Sequence, residues 1–190
     1  MKLICIGDSN TWGYDPRSLF GSRYPSSVRW TARVRDAGYE VVNYGENGAC
    51  IPCGSSVNRI LDCIRAELPA ERIILMLGSN DLLAGSHAEE TGSRMKQLIN
   101  AVREVFDGDI LLVSPVPFTE GEWVSGSSVI EESGYLADCY RRIAKHAGIQ
   151  FADAGTWNVE LTFDGVHFSE RGHAAFAEGL LKQLAEHGIQ

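Results

Sequence analysis

Short apolar runs alternate with segments of helical period along the whole chain. Residues 3–6, 40–44, 73–77, 110–114 and 150–152 are brief aliphatic or β-branched stretches, and nearly all meet Gly, Pro, Asn or Asp at their C-terminal ends. That is how buried strands bounded by turns read. Between them, Val57, Ile60, Leu61, Ile64 and Leu68 share one helical face, which Pro69 stops. Met95, Leu98, Ile99, Val102 and Phe106 mark a second helix ending near Gly108. Leu136, Cys139, Ile143 and Ala147 mark a third, with Gly148 as its C-cap, and Phe176, Leu180, Leu181 and Leu184 lie on the last. Nearly continuous apolar strands interleaved with helices predict an α/β fold: a five-stranded parallel sheet with helices on both faces, a three-layer α/β/α sandwich. The spacing leaves no linker or repeat, so residues 1–190 are expected to form a single domain. The one long irregular stretch, 116–133, is rich in Gly, Ser and Thr; it reads equally as a lid or as a surface loop.

Composition changes this picture only by exclusion. A net charge of −8 argues against nucleic acid or an anionic membrane as partner, because both need a basic patch. No apolar run approaches the roughly 20 residues that span a bilayer. Strand-like residues begin at Leu3 with no signal-type segment before them, so the expected location is cytoplasmic. The five scattered cysteines suit reduced thiols better than a disulfide framework.

In a doubly wound sheet, ligands bind beyond the carboxyl ends of the strands. Ser9 follows the first strand in Gly7-Asp8-Ser9-Asn10-Thr11, Gly48 follows the second, and Asn80 follows the third in Gly78-Ser79-Asn80-Asp81. Asp164 and His167 follow the last strand in Asp164-Gly165-Val166-His167. A neutral serine is a poor nucleophile and needs a base, which needs a group to orient it. His167 can take the proton of Ser9, and Asp164, three residues earlier on a turn or helix start, can hold the other ring nitrogen. The N–H groups of Ser9 and Gly48 and the side-chain amide of Asn80 are candidate donors to an oxyanion.

In order and spacing, these four segments resemble the four defining blocks of the SGNH, or GDSL-like, hydrolases, and the likeness runs from residue 7 to 167. It implies a flavodoxin-like fold, Ser9 as nucleophile, Asp164 and His167 as acid and base, and an oxyanion hole formed by Ser9, Gly48 and Asn80. Ser9-Asn10-Thr11-Trp12-Gly13 resembles the small arylesterase and acetylesterase members. Asn10 departs from the leucine usual after the serine, which alters the surface near the nucleophile. The expected activity is hydrolysis of short acetyl or aryl esters through an acyl-enzyme, with acyl transfer as a side activity. Deacetylation of a sugar or small metabolite is the alternative. The expected partner is a small-molecule ester, with no metal or cofactor; homo-oligomer formation is left open.

Asn10, Trp12, Trp123 and Tyr135 are candidates for an acyl or alcohol pocket. Asp8 is expected to brace the turn around Ser9, and Ser169 to cap the last helix. His173 is expected to be structural, while His87, His146 and His187 read as solvent-facing. The remote rival is Cys50-Ile51-Pro52-Cys53, a C-x-x-C of the dithiol redox kind, which would need a thiolate of lowered pKa. A binding module that kept the fold without catalysis is disfavoured by the intact Ser9, Asp164 and His167.

Overall fold

A computed structural model describes residues 1–18 and 20–186; His187 lies outside the described residues. Each apolar run becomes a strand, extended or trimmed by a residue or two: β1 (Lys2–Gly7), β2 (Glu40–Gly45), β3 (Arg72–Met76), β4 (Asp109–Ser114) and β5 (Gln150–Asp153). All pair in parallel, in the order β2-β1-β3-β4-β5. The helices are α1 (Ser9–Trp12), α2 (Trp30–Asp36), α3 (Val57–Ala66), α4 (Ser79–Leu83), α5 (Ala88–Arg103), α6 (Ser127–Ala147) and α7 (Glu170–Glu186).

The pleat explains the three layers. Successive side chains of a strand point to opposite faces, so an uninterrupted apolar strand feeds two cores at once. Ile4, Ile6, Ile73, Leu75, Ile110 and Leu112 pack with residues of α3, α5 and α6, among them Ile64, Leu98 and Tyr140. Leu3, Cys5, Ile74, Met76, Leu111 and Val113 pack on the other side with Trp30, Val34, Phe176 and Leu180 of α2 and α7. Each such aliphatic side chain contributes about 1.5–3 kcal/mol when fully buried.

The chain runs from β1 outward to β2, then returns to place β3 on the other side of β1. Adjacent strands leading in opposite directions open a crevice beyond their carboxyl ends. α1 and α4 begin at that edge, two residues after the end of β1 and three after the end of β3. The stretch 116–133 is not one loop. Residues 127–133 are the first two turns of α6, and the part before them is tied down by Thr119 N–H to Gly165 C=O, Glu122 N–H to Phe163 C=O and Trp123 N–H to Asp164 C=O, each at 3.1 Å. A Cβ on Gly121 would lie 2.4 Å from the carbonyl carbon of Asp164, so glycine allows this close approach. Among the described residues, no helix is long and apolar enough to cross a membrane.

Candidate active site

Asp8 caps α1: its carboxylate accepts the N–H of Asn10 at 3.0 Å, the bracing expected of it. Ser9 is therefore the first residue of a helical turn, where a backbone N–H has no intrahelical partner. Its Oγ lies 2.9 Å from Nε2 of His167, and Nδ1 of His167 lies 2.7 Å from Oδ2 of Asp164. All three side chains are buried.

The turn that carries Asp164 and His167 is organised by the Asp164 carboxylate itself. Asp164 Oδ1 accepts the N–H groups of Val166 and His167, both at 2.9 Å, and the hydroxyl of Thr162 at 2.8 Å. Burial works against its charge, but the His167 hydrogen bond and the two backbone donors prevail and hold it at about 2. The carboxylate is thus ionised and can fix the tautomer of His167 that leaves Nε2 facing Ser9.

On the opposite side, the N–H of Ala49 donates to Glu46 C=O at 3.2 Å and closes a turn over residues 46–49. Gly48 is its third residue, with φ of +71° and no protein atom within 4 Å of where a Cβ would stand. The turn's backbone, rather than crowding, favours glycine there. Asn80 Nδ2 donates one of its two N–H groups to Ala49 C=O at 2.9 Å, and the residue lines the crevice. Two residues after Ala49, the N–H of Ile51 donates to Oδ2 of the buried Asp81 at 2.9 Å, and Arg94 holds Oδ1 of the same carboxylate at 2.9 Å. The two proposed oxyanion arms are therefore stitched together. They meet Ser9 and His167 around an open pocket of about 390 Å³ lined also by Tyr14, Asn47 and Trp123.

Residues 5–175 match the model of the GDSL-like lipase/acylhydrolase family. The chain belongs to that family. As a GDSL-like hydrolase it is a carboxylic ester hydrolase, and its fold agrees with solved relatives over nearly the whole chain. A carbohydrate acetylesterase family member from Sinorhizobium meliloti is 26% identical, with 97% of each chain covered and a TM-score of 0.86. A protein described as an arylesterase from Agrobacterium tumefaciens is 27% identical, covering 97% of this chain and 98% of its own, at 0.84. The inhibitor-bound aryl esterase of M. smegmatis, 24% identical, covers 97% and 98% at 0.85, a likeness of fold. No curated protein sequence matches the chain.

The remaining candidates of this hydrolase divide. Trp123 lines the pocket and meets His167 edge-on, with ring centroids 5.0 Å apart. Tyr14, which sequence reasoning missed, packs its ring 4.7 Å from His167. Gly13 adopts φ of +95° just before it, and that Trp-Gly-Tyr break after α1 was the one available signal. Asn10, Trp12 and Tyr135 are not pocket residues. Asn10 is buried, with its amide bonded to the backbone around His167. Trp12 sits under the Arg23 guanidinium, 5.1 Å from its ring centroid. Tyr135 lies exposed on α6.

His173 is fully buried against Tyr24 and Phe168, and burial beside Arg33 and Arg29 lowers it to about 3, so it stays neutral and structural. Ser169 Oγ accepts the N–H of Gly172 at 3.0 Å and caps α7. His87 and His146 are exposed. Cys50 and Cys53 are both free and exposed. Partial burial and the neighbouring Asp81 raise the Cys50 thiol, opposite to what a redox dithiol requires. Among the described residues, no cluster of three or more His, Cys, Asp or Glu could hold a metal ion.

Proposed function

We propose that this protein hydrolyses short acetyl or aryl esters through an acyl-enzyme on Ser9. The observation that carries the reading is the continuous relay of Ser9 Oγ, His167 and Asp164, at 2.9 and 2.7 Å, opening on one pocket. His167 Nε2 takes the Ser9 proton as Oγ attacks the ester carbonyl carbon. The carbonyl oxygen, now negative, is met by the N–H groups of Ser9 and Gly48 and by the Asn80 amide. His167 then protonates the leaving alcohol. In the second half it deprotonates water, which releases the carboxylic acid and restores Ser9.

The lining supports a short acyl group. Ser9, Tyr14, Asn47, Gly48, Asn80, Trp123 and His167 include no aliphatic side chain, whereas a long alkyl chain would need an apolar channel. The half-exposed Trp123 beside Tyr14 offers flat surfaces to an aromatic alcohol or to a sugar ring. The second reading, deacetylation of a sugar, draws on the same rings and on the likeness to the S. meliloti carbohydrate acetylesterase family member.

Hydrolysis of p-nitrophenyl acetate, butyrate and octanoate by the wild type and Ser9→Ala tests this, with folding followed by circular dichroism. Activity should favour the acetate and vanish in a folded Ser9→Ala. Activity indifferent to Ser9 would overturn the mechanism. A preference for octanoate would redirect attention to a second cavity of about 390 Å³, lined by Ile6, Ile51, Ile60 and Leu77.

A further inference from the structure

Asn10 follows the proposed nucleophile directly, is 6% exposed, and uses both ends of its side-chain amide. Oδ1 accepts the N–H of Phe168 at 2.9 Å, and Nδ2 donates to the C=O of Val166 at 3.2 Å. Those two groups belong to the residues on either side of His167, so the one side chain spans the base. The other two backbone groups of the base are also engaged. His167 N–H donates to Asp164 Oδ1 at 2.9 Å, and His167 C=O accepts the N–H of Thr162 at 2.7 Å. The backbone of the base is thus gripped from both sides, by the acid's own turn and by the residue next to the serine.

Asn10 is itself fixed. Its N–H donates to Asp8 at 3.0 Å and its C=O accepts the indole N–H of Trp30 at 3.0 Å. We propose that Asn10 is the positioning residue of the active site, a side-chain clamp that sets the separation between Ser9 Oγ and His167 Nε2. This rests on the reading of Ser9 as nucleophile.

The chemistry of the residue is specific to the task. An amide carries both a donor and an acceptor, so one side chain can pair with a backbone C=O and a backbone N–H at once. A leucine would fill similar volume and make neither bond, leaving a buried N–H and C=O unpaired. An aspartate would keep the bond from Phe168 N–H and set a carboxylate oxygen against the Val166 carbonyl. With the 158-residue separation between Asn10 and Phe168, no local interaction supplies this constraint.

The test compares the wild type with Asn10→Asp, Asn10→Leu and Asn10→Ala. kcat per folded molecule on p-nitrophenyl acetate should fall by about 10- to 100-fold, the size expected when a catalytic pair is displaced by an ångström or less, with KM nearly unchanged. The proton on Nδ1 of His167, followed by NMR without substrate, should shift or broaden in the same variants. Unchanged kcat and an unchanged Nδ1 resonance in folded variants would overturn the proposal. Because the resonance needs no ester, failure of the clamp is distinguishable from failure of the hydrolase reading, which Ser9→Ala tests. Should no variant fold, amide exchange in the wild type decides. A protected Phe168 N–H upholds the clamp, and one exchanging like an open loop overturns it.

Discussion

Asp164 and Asp8 are both buried carboxylates at the carboxyl edge of the sheet, and both feel the same imidazole, yet their surroundings drive them apart. Asp164 collects two backbone N–H groups, a threonine hydroxyl and the ring of His167, and stays charged at about 2. Asp8 is pushed up to about 6 by burial, which the Asn10 N–H, the charge of His167 and the Ser79 hydroxyl only partly offset. Burial alone therefore does not make an acid useful to a base; the number of donors aimed at it does. The two buried histidines repeat the lesson. His167 has a carboxylate and a hydroxyl on its two nitrogens, while His173 has one long contact of 3.4 Å from Trp30 N–H and no partner on Nε2 among the described residues.

The strongest way to break this comparison is Asp164→Asn. Removing the charge while keeping the shape should lower kcat by about 10⁴-fold with the fold retained, because the amide favours the wrong tautomer of His167. A loss smaller than about tenfold would mean that Asp164 does not orient the base. Asp8→Asn should behave oppositely. Its side-chain oxygen can still accept the Asn10 N–H, so the cap of α1 survives. The folded state holds the Asp8 proton up to about 6 against 3.8 for an ordinary aspartate, so this contribution to stability is complete below about 3.8 and is lost as pH rises through 6. At pH 7.5 the variant should be more stable than the wild type by on the order of 3 kcal/mol. Urea midpoints at several pH values should show that advantage shrinking below pH 6 and gone near 4. A constant difference across this range would place the Asp8 titration elsewhere. The finest adjustment is Thr162→Val, which removes one of the donors on Asp164 and should reduce kcat by about three- to tenfold, the equivalent of one net hydrogen bond. An unaltered kcat would show the two backbone donors to be sufficient.

Much of this was legible in the sequence because the signals were local. The apolar runs gave all five strands, and the strand-end motifs gave Ser9, Gly48, Asn80, Asp164 and His167, which the fold does bring to one crevice. Helix α2 was not anticipated. Its seven residues are too few to display a period, and Arg29 at its N-cap offers no side-chain hydrogen bond. The roles of Asn10 and Tyr14 were also hidden, since the groups that engage them lie about 150 residues away and become neighbours only once the sheet forms. The stretch 116–133 misled in a related way. Its Gly, Ser and Thr content suggested mobility, but backbone bonds to residues 163–165 hold its first half against the acid's turn.

The stitching of Gly48 to Asn80 through Ala49, backed by Asp81 and Arg94, has a consequence for how the reaction is timed. A gap whose two walls are cross-braced has its width decided during folding, on the protein's own schedule. In the proposed mechanism a substrate arriving there would meet dipoles already oriented, with the ordering work finished before each turnover begins.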